Sequence, residues 1–270
     1  MKVIASATTI MALILLALPV AAAEEKAADP PAEEAPAPIT PARARALMGQ
    51  LAAEDPEQAI AAADELAGGG ESVLPLLQNA ASSRNETLRL RAADVLGRII
   101  DPRALVTLHE MLADESDNVR RGVICAVGNH EREESVEKLE GFLLNKNPLL
   151  RREAAMALGR IGGEEVLPAI RRSCFDDDHR VRKAAVVALS LLDDEAAIPI
   201  LISRLRDESK AVRKMAHLIL RTMCDTAFEY DPDDDEEKRN EAAKLWETWW
   251  KTYSKSTAGR NTRKETKDRK

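Results

Sequence analysis

The sequence predicts an all-α fold, an α-solenoid of about six helical pairs with a C-terminal capping helix, and three observations carry that reading. Five segments align without a gap: LRLRAADVLGRI from Leu88, VRRGVICAVGNH from Val119, LRREAAMALGRI from Leu150, VRKAAVVALSLL from Val181 and VRKMAHLILRTM from Val212, a 31-residue period. Repetition on that scale marks units that bury their apolar faces only by stacking on one another. Residues able to cap a helix, Asn85, Ser116, Asn147, Asp178 and Ser209, recur at the same spacing, each just before one of these segments. Their side-chain oxygens can satisfy free N–H groups of a first helical turn. Only 3% of the chain is aromatic while 45% is hydrophobic, mostly Ala and Leu, a composition suited to packed helices.

The chain opens with MKVIASATTIMALILLALPVAAAEE, one Lys followed by an apolar run and three alanines. Residues 1–23 read as a secretory signal peptide with an A-x-A cleavage site. The uncharged stretch Val3 to Ala23 is also long enough for an uncleaved anchor. Either way the body is expected to be exported, to the periplasm, the cell envelope or the medium. Residues 24–39 are Pro, Ala and Glu with few large apolar side chains, and are expected to be a disordered linker.

Residues 40–224 hold the helical pairs, expected over 40–67, 71–98, 102–129, 133–160, 164–191 and 195–224. Asp55-Pro56 stands 30 residues before Asn85, so the first unit is one residue shorter. Within each second helix, here called the VR helix, Leu150, Ala154, Leu158 and Ile161 and their equivalents follow helical spacing. The partner helices repeat it in Leu105, Leu108 and Leu112, or Ile198, Leu201 and Leu205. Gly97, Gly128 and Gly159 fall near the VR-helix ends, where glycine suits a C-terminal turn. Of the three cysteines, Cys125 and Cys174 lie in apolar columns and are expected to be buried thiols.

Six of the eight aromatic residues lie beyond the repeats: Phe228, Tyr230, Trp246, Trp249, Trp250 and Tyr253. Ala242, Trp246, Trp249 and Tyr253 share one helix face, so 225–253 read as a cap over the open end of the stack, with an aromatic binding platform as the alternative. Residues 254–270 carry seven basic and two acidic groups and are expected to be a disordered basic tail.

The stretches Asp114 to Arg120, Asn145 to Arg151, Asp176 to Arg182 and Asp207 to Arg213 resemble HEAT repeats, and within them the short variety named for phycobilisome lyases, whose unit reads roughly D-x-x-x-x-V-R-x-x-A-x-x-A-L-G. The Trp-rich end is similar to the closing segments of other exported bacterial HEAT-like proteins. The resemblance implies that Arg89, Arg120, Arg151, Arg182 and Arg213 form a structural ladder, each bonded to the Asp six residues earlier, as for Asp114, Asp176 and Asp207. It also implies that the VR helices line a concave face.

Across the five VR helices, basic residues exceed acidic ones fifteen to four, a net of +11 in a chain whose total is −7. If the VR helices share one face, that face is a positive groove able to concentrate an oppositely charged partner. Candidate contacts are Arg121, Arg152, Arg160, Lys183 and Lys214; the alternative is an ordinary solvated face.

Two His-Glu dipeptides, His109-Glu110 and His130-Glu131, invite comparison with deoxyhypusine hydroxylase, a HEAT-like enzyme that binds iron through such pairs directly after the Arg position. Here those positions are Arg121-Gly122, Arg152-Glu153, Lys183-Ala184 and Lys214-Met215, so no metal and no cofactor is expected. The acidic run Asp231 to Glu237 lacks the glycine and spacing of an EF-hand and reads as a solvated helix cap. No P-loop, G-x-S-x-G or dinucleotide fingerprint occurs.

The reading is a non-catalytic exported scaffold that binds a protein partner, an acidic one if the groove is used, with no small-molecule substrate. Membrane contact would come only through a retained N-terminal segment. The runner-up is a bilin lyase or isomerase-like enzyme, which export disfavours. Binding of an anionic polymer such as nucleic acid is the third reading, set against the acidic total.

Overall fold

The computed structural model describes residues 39–224, 226 and 228–265, with side chains as far as Ser256. The expected signal segment 1–23 and the linker up to Pro38 lie outside the described residues, as do 266–270. The described residues fall into two compact units, 39–166 and 167–265. In the first, α1 (Pro41–Leu51) pairs with α2 (Pro56–Gly68), α3 (Leu74–Ala81) with α4 (Glu86–Leu96), α5 (Pro102–Met111) with α6 (Asp117–Asn129) and α7 (Val136–Glu140) with α8 (Pro148–Ile161). In the second, α9 (Leu167–Ser173) precedes α10 (His179–Leu191), α11 (Ile198–Arg204) precedes α12 (Lys210–Cys224), and α13 (Glu236–Glu265) closes the chain. The described residues contain no strand, and the architecture is an α-solenoid.

The VR helices α4, α6, α8, α10 and α12 each begin directly after the predicted capping residue. Asn85 accepts from the Leu88 N–H, Ser116 from Asn118 and Val119, Asn147 from Leu149, and Asp178 from Arg180. The caps also tie neighbouring repeats of the first unit together: Ser116 Oγ donates to Glu86 Oε1 at 2.8 Å, and Asn147 Nδ2 to Asp117 Oδ2 at 2.6 Å. Partner helices are less regular. Those at 70–81, 133–144, 164–173 and 195–204 open with a 3₁₀ turn, and the second of these breaks again into a 3₁₀ turn at Gly141–Leu144. Glycine is a poor helix former, and at Gly141 it marks the break.

The apolar columns form the cores. Leu150, Ala154 and Leu158 are fully buried, as are Leu201 and Leu205 of the second unit. Each large aliphatic side chain removed from water stabilises by roughly 1.5–3 kcal/mol. Gly97 and Gly128 serve this packing rather than a left-handed turn. Gly97 keeps an ordinary helical φ of −68°, and a Cβ there would stand 2.6 Å from Ala126 Cβ. One repeat later, a Cβ on Gly128 would stand 2.8 Å from Ala157 Cβ. The missing side chains let consecutive VR helices touch backbone to backbone. Positive φ occurs instead at Glu131 (49°), Gly162 (83°) and Asp193 (51°), a shared position of the repeat just past α6, α8 and α10.

Two further expectations are corrected. Cys174 is buried, but Cys125 is exposed, because its column faces away from the core: Asp94 and Leu218 are exposed and Met156 and Val187 only half-buried. The closing helix does not stop at Tyr253, since α13 continues through the stretch read as tail as far as Glu265.

Candidate functional site

Each ladder arginine follows the first turn of its VR helix, and each reaches back to the residue six positions earlier, but to its backbone carbonyl rather than its carboxylate. Arg120 donates to Asp114 O, Arg151 to Asn145 O at 2.8 Å, Arg182 to Asp176 O at 2.8 Å and Arg213 to Asp207 O at 2.8 Å. The carboxylates belong to the preceding repeat's arginine. Asp114 takes both prongs of Arg89, at 2.7 and 3.0 Å, and Asp207 both prongs of Arg182, at 2.8 Å each. The Asp side chain is directed there by its own turn, in which Asp114 accepts from the Ser116 N–H and Asp207 from the Ser209 N–H. Burial opposes the ionisation of Asp114, but the Arg89 guanidinium and the Ser116 N–H outweigh it and hold the carboxyl below its usual range. At the last rung no repeat follows, and Arg213 donates to Pro232 O of the closing loop at 2.7 and 3.0 Å.

The five candidate contact residues divide. Lys183 and Lys214, on α10 and α12, are exposed. Arg121 on α6 is half-buried. Arg152 pairs with its neighbour Glu153, and Arg160 turns back to donate to Cys125 O at 3.2 Å. Arg160 is therefore part of the α6–α8 packing rather than an open cation.

A feature absent from the sequence reading lies in the first unit, where α2, α4 and α6 enclose an open-sided hollow of about 390 Å³. Its walls are mostly apolar, from Ala59, Ile60 and Ala63 of α2, Leu90 of α4, and Cys125 and Ala126 of α6, with Arg91, Asp94 and Asn129 at the edge. Arg91 is anchored by donating to Leu51 O and Ala53 O at 2.7 and 2.6 Å. The sequence did carry the signal. In the repeat register Ile60 and Leu90 hold the place of Arg121, Arg152, Lys183 and Lys214, and Gly122 the place of Arg91 and Glu153.

The aromatic residues assemble in the second unit. Trp246 is fully buried and meets Phe228 and Trp249 edge-on at 5.0 and 5.8 Å. Trp249 stacks on Tyr253 at 4.9 Å, and Trp250 lies half-buried beside them. Tyr230 donates its hydroxyl proton to Leu205 O, and Arg206 reaches Asn240 and Glu247 of α13 at 2.8 and 2.6 Å. A buried ring at the centre and ties to α11 and its following turn make this a cap; Trp250 does not stand out into solvent.

Three of the four histidines are packed into the helices, while His179 is exposed. His109 Nε2 lies 2.8 Å from Ser135 Oγ, His130 Nε2–H donates to Leu96 O at 3.1 Å, and the His217 ring packs 4.9 Å from Tyr230. Burial lowers the pKa of all three. Glu131, at positive φ, belongs to the turn that ends α6. Among the described residues no three His, Cys, Asp or Glu side chains converge in a way that would hold a metal ion, and no helix is long and apolar enough to cross a membrane.

Comparison with known proteins agrees with this architecture. The profile of HEAT repeats matches residues 44–127, 106–179 and 136–221. No curated protein sequence matches the chain. Among solved structures, the YibA protein of Escherichia coli is similar over 65% of this chain and 69% of its own, at 24% identity and a TM-score of 0.56. The CpcE–CpcF complex of phycocyanin lyase from a Nostoc species aligns with 73% of this chain and 81% of its own, at 22% identity and a TM-score of 0.49. At these identities the likeness extends to the fold alone. With the period, the capped VR helices and the inter-repeat arginine ladder in place, and the profile matched from residue 44 to 221, the chain belongs to the family of HEAT repeat proteins.

Proposed function

We propose that the protein is a non-catalytic, exported scaffold whose VR helices capture an acidic protein partner. The observation that carries this reading is the separation of charge: +11 on the VR helices in a chain of net −7, leaving −18 for everything else. Five of the fifteen cations are used by the ladder, while Lys183 and Lys214 are exposed and Arg121 half-exposed. A field of one sign over a repeating surface orients and accelerates encounter with a partner of the opposite sign. Export is supported by the character of residues 1–23.

Crosslinking of the tagged full chain in its native envelope, followed by mass spectrometry, is the test. The chain recovered there is expected to begin near Glu24. Partners crosslinked by the parent are expected to be lost from a variant with Arg121, Arg152, Lys183 and Lys214 all changed to Glu, while its helical circular dichroism stays that of the parent. A variant that recovers the same partners in the same amount contradicts the proposal.

A further inference from the structure

We infer that the hollow between α2, α4 and α6 seats a large apolar side chain of the partner, so that the ligand is an acidic amphipathic segment rather than an acidic polymer. This rests on the reading of the VR helices as a partner-binding surface and adds the partner's chemistry to it. The volume, about 390 Å³, lies within the span of ligand pockets, which run from roughly 300 to 1,000 Å³. Ile60, 62% exposed, stands at its rim. Leu90 lies over Gly122, where a Cβ would stand 2.4 Å from Leu90 Cδ1; the absence of a side chain at 122 leaves the wall low and apolar where other repeats carry Arg91 or Glu153.

The register supplies the complementary charge. Arg121 directly precedes Gly122, and one helical turn after it stands the exposed Cys125 of the wall. The same cation-then-apolar pairing continues as Arg152 and Met156, Lys183 and Val187, and Lys214 and Leu218. Residues four apart lie on one helix face. Each VR helix from α6 onward therefore offers a cation beside an apolar position, which matches a ligand carrying a carboxylate beside an apolar side chain. Burial of the apolar side chain adds contact energy that a plain polyanion cannot gain.

Cys125 reports occupancy directly. It is the exposed thiol of the three, whereas Cys174 is buried and burial pushes the thiols of Cys174 and Cys224 up to about 12. A disulfide exchange reagent such as dithiobis-nitrobenzoate, applied to the full chain, is expected to modify Cys125 first. Two synthetic probes of equal Glu and Leu content are added, one with the leucines on a single helical face and one with them scrambled, together with poly-glutamate.

The amphipathic probe is expected to slow the Cys125 reaction at least tenfold, to bind at least tenfold more tightly than the scrambled probe or poly-glutamate, and to lose that advantage in an Ile60→Asp variant. A mass map showing Cys125 as the modified site accompanies the rate. If all three probes bind alike, or the amphipathic probe binds without protecting Cys125, the apolar seat is wrong and the basic-surface reading stands. If none binds at low salt, both fall. Equal protection by single-stranded DNA also overturns the assignment, in favour of a general polyanion surface.

Discussion

Arg182 and Asp207 are 5% and 6% exposed, and their paired hydrogen bonds join one repeat to the next. Truncating Arg182 to Met leaves a buried carboxylate whose remaining partners are Arg204 and a backbone N–H. The expected cost is about 3 kcal/mol, since a buried charge is left largely uncompensated. Arg120→Met is expected to cost about 1 kcal/mol, because Arg120 pairs with the half-exposed Asp117. Chemical denaturation of the two variants checks the order, and equal losses would mean that the ladder is not buried in solution. The histidines give a pH dependence of definite sign. With His109, His130 and His217 held below 6.5 by burial, the unfolded chain binds more protons than the folded one as pH falls through 6.5. Stability is therefore expected to fall between pH 7.5 and 5.5, well above the range in which Asp114 titrates, and the fall is expected to be smaller in His130→Asn. A urea midpoint that is flat over that interval contradicts this. The ladder residues themselves were legible in the sequence, but their pairing was not. In a 31-residue period Asp114 stands six residues before Arg120 and 25 after Arg89, so spacing alone cannot say which arginine it serves. The turn that aims its carboxylate decides it.

At the scale of elements, helix starts were written in the sequence because a cap acts locally, through one side-chain oxygen and the next N–H groups. Helix contacts were not, and the glycines show why. The register marks Gly97 as a helix-end glycine but not what it meets: a Cβ there would stand against Ala126, while a Cβ on Gly141 would meet nothing within 4 Å. Gly141 has φ −56° and ψ −32°, a backbone any residue adopts. Gly141→Ala is expected to stabilise by about 0.4–1 kcal/mol by restricting the unfolded chain. Gly97→Ala must push α4 from α6 and is expected to destabilise by roughly 1–3 kcal/mol. Thermal unfolding of both reads the sign directly; a destabilised Gly141→Ala would mean that the break after α7 is required.

For the whole molecule, the repeat and its charge separation were readable because both are sums over many positions, insensitive to any one. The hollow was not, because it depends on three helices leaving space at once, and its register signal, Ile60 and Leu90 in a column otherwise basic, reads as ordinary variation in a single sequence. Exposure of Cys125 escaped for a related reason: an apolar column at helical spacing is the same pattern whether it faces the core or a partner. The claim on which the functional account depends is that the cations of the VR helices attract an acidic partner. The most direct measurement is the affinity of fluorescent poly-glutamate for the parent and for the fourfold Arg121, Arg152, Lys183 and Lys214 to Glu variant, from low salt to about 0.5 M. Exposed charges are screened over about 8 Å at physiological ionic strength. The account predicts binding by the parent that weakens steadily with salt and at least a tenfold loss in the variant at low salt; equal affinity of parent and variant, independent of salt, would contradict it.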